Sequence, residues 1–416
     1  MQIDRRTLLA ASAAAGAALF LPRPLAAQTG TSELTLMTGD AVPISPAEHA
    51  ARVEQARRLM REYGIGALLI EPGASMTYFT GVRWWRSERL TAAVLPLSGD
   101  PVIVTPHFEE PSVRESLKIE ADVRVWNEHE NPLETVAGVL RDRGVTDPVG
   151  IEETVRFFAV DGLRNALRGV EIRPGAPVIR GCRMIKSAHE IALMQKANDV
   201  TLAAYRHTCP RVEAGMTPAD IAAIMNDATR ALGGTPSFEL VLLGEASAYP
   251  HGSGQPQEVR EGEVVLMDCG CNVLGYESDI SRTFVFGEPN AEQRRVWSHM
   301  RRGQDVAFAA ARVGAPAGNV DDAVREYYEG LGYGPDYDLP GLSHRIGHGI
   351  GMEGHEPINL VRGEETPLAP GMCFSNEPGL YLPGSFGIRL EDCFHMTEAG
   401  PRYFTTPPPS IDDPFG

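Results

Sequence analysis

Val264-Val-Leu-Met-Asp268-Cys-Gly-Cys-Asn272-Val-Leu-Gly275-Tyr276-Glu-Ser-Asp279-Ile-Ser-Arg-Thr283 is the stretch on which the fold turns. Val264 to Cys271 and Tyr276 to Phe286 are runs rich in Val, Ile, Phe and Thr, as strands are, and Asn272 to Gly275 between them supplies turn residues. Folding about the centre of that turn sets Asp268 opposite Asp279. Directly opposed residues on one face hold their Cβ atoms roughly 5 Å apart. Two carboxylates that close ionise together only with positive charge between them, and a divalent cation supplies it. Two solvated aspartates on an exposed hairpin are the alternative. Val264 to Met267 argue against it, being apolar enough for burial on both faces.

Downstream, the same residue types recur beside glycine and proline. Ser-His344-Arg-Ile-Gly-His348-Gly-Ile-Gly-Met-Glu-Gly-His355-Glu is followed by Ser-Asn-Glu377-Pro-Gly-Leu-Tyr381 and then Gly-Ile-Arg389-Leu-Glu391-Asp. Carboxylates and imidazole in that mixture suit a site for two divalent metals. Asp279 lies 11 residues after Asp268, Glu377 lies 29 after His348, and Glu391 lies 14 after Glu377.

In type, order and spacing these residues resemble the metal-dependent pita-bread peptidases: Xaa-Pro aminopeptidases, Xaa-Pro dipeptidases (prolidases) and, more distantly, methionine aminopeptidases. The resemblance covers almost the whole chain after the leader and is strongest from Ile185 to Thr397. It implies an α+β protein, with an N-terminal α/β creatinase/prolidase-like domain followed by a C-terminal pita-bread domain. It also implies five metal ligands, Asp268, Asp279, His348, Glu377 and Glu391, with Asp279 and Glu391 bridging two divalent ions. Manganese is the first choice of ion, with cobalt, zinc or iron as alternatives, since affinity order alone does not choose among them. A water between two such ions has its pKa lowered towards about 7 and becomes a nucleophile for a peptide carbonyl.

By the same resemblance Glu377 is general base and proton shuttle. His355, seven residues after His348, and His251, 17 before Asp268, would polarise the scissile carbonyl. His344 would orient its neighbours. Arg389 would pin Glu391 or bind a substrate's C-terminal carboxylate, and Tyr381 would donate a hydrogen bond to the site. Structural roles for Arg389 and Tyr381 stay open.

Before this region, Asp4-Arg5-Arg6-Thr7-Leu8-Leu9 precedes an Ala-rich apolar run from Ala10 to Leu21, with Leu25-Ala26-Ala27 after it. That pattern is a twin-arginine export signal over residues 1–27, which places the mature protein in the periplasm or outside the cell. The apolar run is too short to span a membrane, and no later stretch is long and apolar enough. Residues 28–44 form an extended arm. Residues 45–173 alternate strands and helices, as an α/β domain does, without a phosphate-binding glycine motif after any strand. Residues 174–186 link this part to a catalytic domain over 187–406, opened by the capping box Ser187-Ala-His-Glu190. The tail 407–416 is disordered or lies along the surface.

A formal net charge of −17 argues against nucleic acid or anionic membranes as partners, and the resemblance implies a small peptide as substrate. Six cysteines occur without a zinc-type pair, and Cys269, Cys271, Cys373 and Cys393, beside the ligands, suit small buried hydrophobes. Trp84-Trp85-Arg86 is either a structural aromatic cluster or a substrate contact. In similar proteins the neighbouring subunit's N-terminal domain reaches the active site, so the resemblance implies a homodimer. Two other classes fit the same scaffold: a non-peptidase metalloenzyme (lyase, amidinohydrolase or organophosphate hydrolase) and a non-catalytic binding protein. Retention of all five ligands and the flanking histidines argues against a metal-free amidinohydrolase and against the binding protein.

Overall fold

The computed structural model describes residues 34–415, so the export signal read over residues 1–27 lies outside them. The N-terminal domain is built on one mixed sheet. Its elements are α1 (Pro46–Tyr63), β1 (Ala67–Ile70), α2 (Ala74–Thr80), β2 (Ala92–Pro96), β3 (Val102–Pro106), α3 (Glu110–Ser116), β4 (Asp122–Trp126), α4 (Pro132–Asp142), β5 (Val149–Ile151), α5 (Phe157–Ala166), β6 (Ile172–Pro174) and α6 (Ala176–Arg183). Strand order is β4-β3-β2-β1-β5-β6. Alternation along β1 divides the core, because successive side chains of a strand face opposite ways. Leu68 and Ile70 join Val53, Phe79 and Val178, whereas Ala67 and Leu69 join Val136, Leu140 and Leu163.

One expectation changes here. The linking segment 174–186 holds α6, whose Val178, Ile179 and Cys182 are buried in the N-terminal core. Fully burying Val or Ile stabilises by about 1.5–3 kcal/mol each, enough to fix a short segment as a helix. On α1 the buried face runs through His49, Arg52, Val53, Ala56 and Met60, while Ala50 is exposed. The arm from Leu34 to Ile44 crosses onto the second domain, where Leu34, Met37 and Ala41 pack on its core.

The C-terminal domain opens with α7 (Ala188–Thr208), capped by Ser187 and Glu190 as expected, and α8 (Pro218–Leu232). Strands β7 (Thr235–Leu243), β8 (Val264–Val273), β9 (Tyr276–Glu277) and β10 (Ile280–Val285) follow. Next come α9 (Ala291–Ala310), α10 (Gly318–Gly330), β11 (Gly347–Gly349), β12 (Glu356–Leu360), β13 (Cys373–Asn376), β14 (Gly379–Leu382), β15 (Phe386–Arg389), β16 (Asp392–Thr397) and β17 (Gly400–Tyr403). Among the described residues these strands make sheets β10-β8-β7, β12-β11-β13-β16-β17 and the pair β14-β15. Along β8, Val265, Met267, Cys269, Cys271 and Val273 pack with α7 and α8, and Val264 and Leu266 pack towards α9. Period-2 alternation therefore puts Asp268 on the same face as Val264 and Leu266, the face that meets the second sheet.

The hairpin register differs from the expected one by two residues. Asp268 pairs with Ser281, and Asn272 pairs with Glu277. The turn is the two residues Leu274 and Gly275, with φ of 52° and 99°. Two positive φ values match the twist of the flanking strands, which a wider turn centred on Val273 would not. Asp279 thus stands diagonal to Asp268, in the break between β9 and β10. The tail also differs from the disordered alternative: Ile411 is buried, and Phe415 stacks on Tyr205 at 6.2 Å.

Candidate metal centre

A cavity of about 700 Å³ opens over the meeting of the two sheets, lined by Asp268, Asp279, His348, Glu377 and Glu391, with His251, His344 and His355 around them. All five expected ligands therefore reach one cavity. Asp279, His348 and Glu391 form the tightest group, with ligand atoms within 4.8 Å of one another.

His348 sits in the middle of β11, between two glycines that cannot be replaced. A Cβ on Gly347 would lie 2.1 Å from the Ser375 carbonyl oxygen, and one on Gly349 would lie 2.6 Å from that of Glu356. The ring is oriented through Nδ1, which donates to the Gly349 carbonyl at 3.1 Å. Nε2 is then left with its lone pair facing Glu377 Oε1 at 3.4 Å, Asp279 Oδ2 at 3.6 Å and Glu391 Oε1 at 4.0 Å. Those separations are long for hydrogen bonds. Two ligand atoms each about 2.1 Å from one divalent ion stand about 3–3.5 Å apart, so the shorter of them suit a shared cation.

The carboxylates carry the complementary signature. Asp268 Oδ1, Asp279 Oδ1 and Glu391 Oε1 are buried and accept no hydrogen bond. Burial, then the neighbouring carboxylates, pushes Asp279 and Glu391 well above the usual carboxylate range. Burial raises Glu377 to about 8, against the opposing pull of Arg389. Burial likewise drives His348 well down, so it is a neutral ligand. Orphaned, desolvated, mutually repelling oxygens opposite a neutral imidazole nitrogen fit hard or borderline divalent cations.

Arg389 is placed differently from either alternative drawn from the sequence. Its Nη2 donates to Asp268 Oδ2 at 2.7 Å, not to Glu391. Nε goes to Ser281 Oγ at 3.1 Å, and Nη1 to the Pro250 carbonyl at 3.0 Å and the Tyr381 hydroxyl at 3.1 Å. Every nitrogen is thus engaged within the chain, and four of the five N–H donors hold Asp268, Ser281, Pro250 and Tyr381. Tyr381 is fully buried behind the wall, and its hydroxyl donates to His344 Nε2 at 2.8 Å, so it does not face the cavity. His344 Nδ1 donates to the Arg345 carbonyl at 2.7 Å, and burial holds the ring neutral, at about 3. Glu391 is held instead by Ser281, whose Oγ donates to Oε2 at 2.8 Å.

His355 and His251 stand exposed at the cavity, and the His355 ring meets His348 edge-on at 4.0 Å. The cysteines beside the ligands are buried free thiols, and Cys393 donates to the Asp279 carbonyl at 3.2 Å. Trp84 and Trp85 stack at 5.1 Å with Trp85 exposed, and neither lines this cavity.

The sequence did not single out Arg345. It lines the cavity, and its side chain has no ion pair or hydrogen bond among the described residues. Its only signal was a cation three residues before His348. Phe238, Leu240 and Val361 add an apolar wall.

Comparison with known proteins agrees with this geometry. The model of "Metallopeptidase family M24" matches residues 192–398, and that of the "Creatinase/Prolidase N-terminal domain" matches residues 52–185. A probable dipeptidase PepE of Mycobacterium bovis is 35% identical over 85% of this chain and 93% of its own. The Xaa-Pro dipeptidase of Pyrococcus furiosus is 29% identical over 85% of this chain and 97% of its own. The crystal structure of dipeptidase PepE from Mycobacterium ulcerans superposes with a TM-score of 0.81 at 33% identity, covering 88% of this chain and 98% of that one.

Proposed function

The chain belongs to metallopeptidase family M24, behind a creatinase/prolidase-type N-terminal domain, and we propose that it is an Xaa-Pro dipeptidase working with two divalent cations. The observation that carries this reading is His348 Nε2 facing Glu377, Asp279 and Glu391, in a cavity where Asp279 Oδ1, Glu391 Oε1 and Asp268 Oδ1 lack any hydrogen-bond partner. Asp268 and Asp279 would hold one cation and His348 with Glu377 the other, with Asp279 and Glu391 between them. Manganese is the first candidate, ahead of cobalt, zinc or iron. Bound there, such cations supply Lewis acidity and lower the pKa of water towards about 7.

The remaining work falls to the chain's own side chains. Glu377 would take a proton from the attacking water and pass it to the leaving amine. His355 and His251 stand where they can donate to a substrate carbonyl oxygen as charge develops on it. Arg389 fixes the aim of Asp268, and Tyr381 fixes His344. The apolar wall of Phe238, Leu240 and Val361 suits a prolyl ring. Arg345, unpaired in the same cavity, favours a dipeptidase over an aminopeptidase, because a guanidinium forks onto a free C-terminal carboxylate.

A substrate panel tests this: an Xaa-Pro dipeptide, its C-terminal amide, an Xaa-Pro tripeptide and a phosphotriester. The expected kcat/KM for the dipeptide exceeds that for the amide and the tripeptide at least tenfold, on the order of 1.4 kcal/mol. That gap should close in Arg345→Met. A tripeptide cleaved as fast as the dipeptide rules out the dipeptidase reading. Turnover of the phosphotriester alone replaces the peptidase reading. The same proposal has the protein exported through Arg5 and Arg6 to the periplasm or beyond and acting as a homodimer. Normal export of a precursor carrying Lys at both positions would remove the twin-arginine part.

A further inference from the structure

A second cavity, of about 300 Å³, lies between the domains at the turn Leu274-Gly275 of the hairpin that carries Asp268. The N-terminal domain lines it with His49, Arg52, Arg83 and Lys118, and the catalytic domain with Leu274 and Met352. No Asp or Glu lines it, in a chain with 55 acidic residues against 38 basic ones. That is an unusual wall for so acidic a protein.

Arg52 is already balanced. It pairs with Glu190 at 3.0 Å and donates to the Tyr276 hydroxyl at 2.7 Å. Arg83 and Lys118 are not balanced: neither side chain has an ion pair or hydrogen bond among the described residues. Yet both are placed. The Lys118 stem lies against bare Gly81, where an added Cβ would come 2.3 Å from Lys118 Cγ. The Lys118 backbone N–H donates to the Thr80 carbonyl at 2.9 Å. Arg83 Nη2 lies 3.7 Å from the position a Cβ would take on Gly275, so its guanidinium rests over the hairpin turn.

Two like charges held at one cavity repel until an anion joins them. A guanidinium forks onto two oxygens of a tetrahedral oxyanion, and an ammonium adds a compact charge beside it. The opposite wall of Leu274 and Met352 is apolar and has nothing to offer a second charged group. We propose that this cavity binds a small organic dianion, a phosphate monoester, with the phosphate between Arg83 and Lys118 and its organic part against Leu274 and Met352. The ligand would tie the turn of the metal-bearing hairpin to the N-terminal domain.

The test is protection of Lys118 from acylation in the cation-loaded enzyme, followed by peptide mass spectrometry with phenyl phosphate as probe. Lys196, paired with Asp40 at 2.9 Å, serves as internal reference. Saturating phenyl phosphate should slow acylation of Lys118 at least tenfold relative to Lys196, and sodium chloride of equal ionic strength should not. Arg83 is exposed, so Arg83→Met should fold and keep its basal peptidase activity while losing the protection. A probe bound only at the catalytic metals would act equally on wild type and Arg83→Met, so the variant separates the two sites. Unchanged labelling of Lys118, equal protection by sodium chloride, or protection that survives in Arg83→Met overturns the proposal.

Discussion

Two buried carboxylate clusters flank His355, and they are built on opposite plans. Beside it in sequence, Glu356 accepts from Lys186 Nζ at 2.9 Å, from Arg183 Nη2 at 2.5 Å and from the Met352 backbone N–H at 2.9 Å. Burial works to raise the Glu356 pKa, but Lys186 and Arg183 outweigh it and hold the group at about 2. Beside His355 in space, burial and mutual repulsion push Asp279 and Glu391 upward instead. Burial is therefore not what separates the clusters; the source of the positive charge is. Where the chain brings its own cations from 170 residues away, the carboxylate is an architectural joint between domains. Where it leaves oxygens orphaned, the cation must come from solution, and chemistry can follow.

The largest effect should come from taking that cation away. Chelation should abolish peptidase activity, by at least about 10³-fold, since the proposed nucleophile is a water whose pKa the cations would lower. Adding back manganese should restore it. Full activity in protein verified free of metal would erase the distinction between the clusters. Asp268→Ala should lose bound metal, and activity with it.

Next in size is a reversal of sign between the clusters in metal-free protein. Glu356→Gln leaves Lys186 and Arg183 facing a neutral group, and breaking a buried pair costs about 3–5 kcal/mol. Glu391→Gln removes one of several repelling charges and should be neutral or stabilising. Urea unfolding of both variants reads this directly. Equal destabilisation would mean that the metal cluster is balanced within the chain after all.

A smaller effect concerns the residue between them. His355→Ala disturbs neither set of partners, so it should keep its cations and its stability. It should nevertheless lose about 10²–10³ in kcat, the usual cost of one carbonyl-polarising donor. Loss of metal from His355→Ala, beside retention of metal and full rate in Asp268→Ala, would reverse the assigned roles.

The two clusters were not equally legible in the sequence. Asp268, Asp279, His348, Glu377 and Glu391 announce themselves through glycine-flanked, strand-bound spacing, and the structure gathers all five at one cavity. Their register was not legible, because Leu274 takes a positive φ that its side chain does not advertise. The partners of Arg389 were missed because Asp268 and Pro250 approach it across 121 and 139 residues. The Glu356 joint left no local trace at all, since Arg183 and Lys186 lie in a segment that Gly175, Pro177 and Gly181 make look like a linker.

The smallest effect, and the sharpest test of the comparison, is in pH. Glu356 has a folded pKa of about 2, below the ordinary glutamate value of 4.5. A depressed folded pKa gives stability that is present above the unfolded pKa and is lost as pH falls towards the folded one. The stability gap between wild type and Glu356→Gln should therefore hold down to about pH 5 and then narrow, by at most about 1.4 kcal/mol per pH unit. Metal-free enzyme should show the opposite trend through Asp279, Glu377 and Glu391. Their folded pKa values lie above the unfolded ones, so their contribution is full below the unfolded value and fades as pH rises through the folded one. Lowering the pH from about 8, where Glu377 titrates, towards 4.5 should thus stabilise the metal-free protein relative to the cation-loaded one. Cations hold those carboxylates ionised and remove the dependence. Parallel stability curves for metal-free and loaded protein over that window would show that the oxygens are already neutralised within the fold, leaving no electrostatic reason for a cation to bind there.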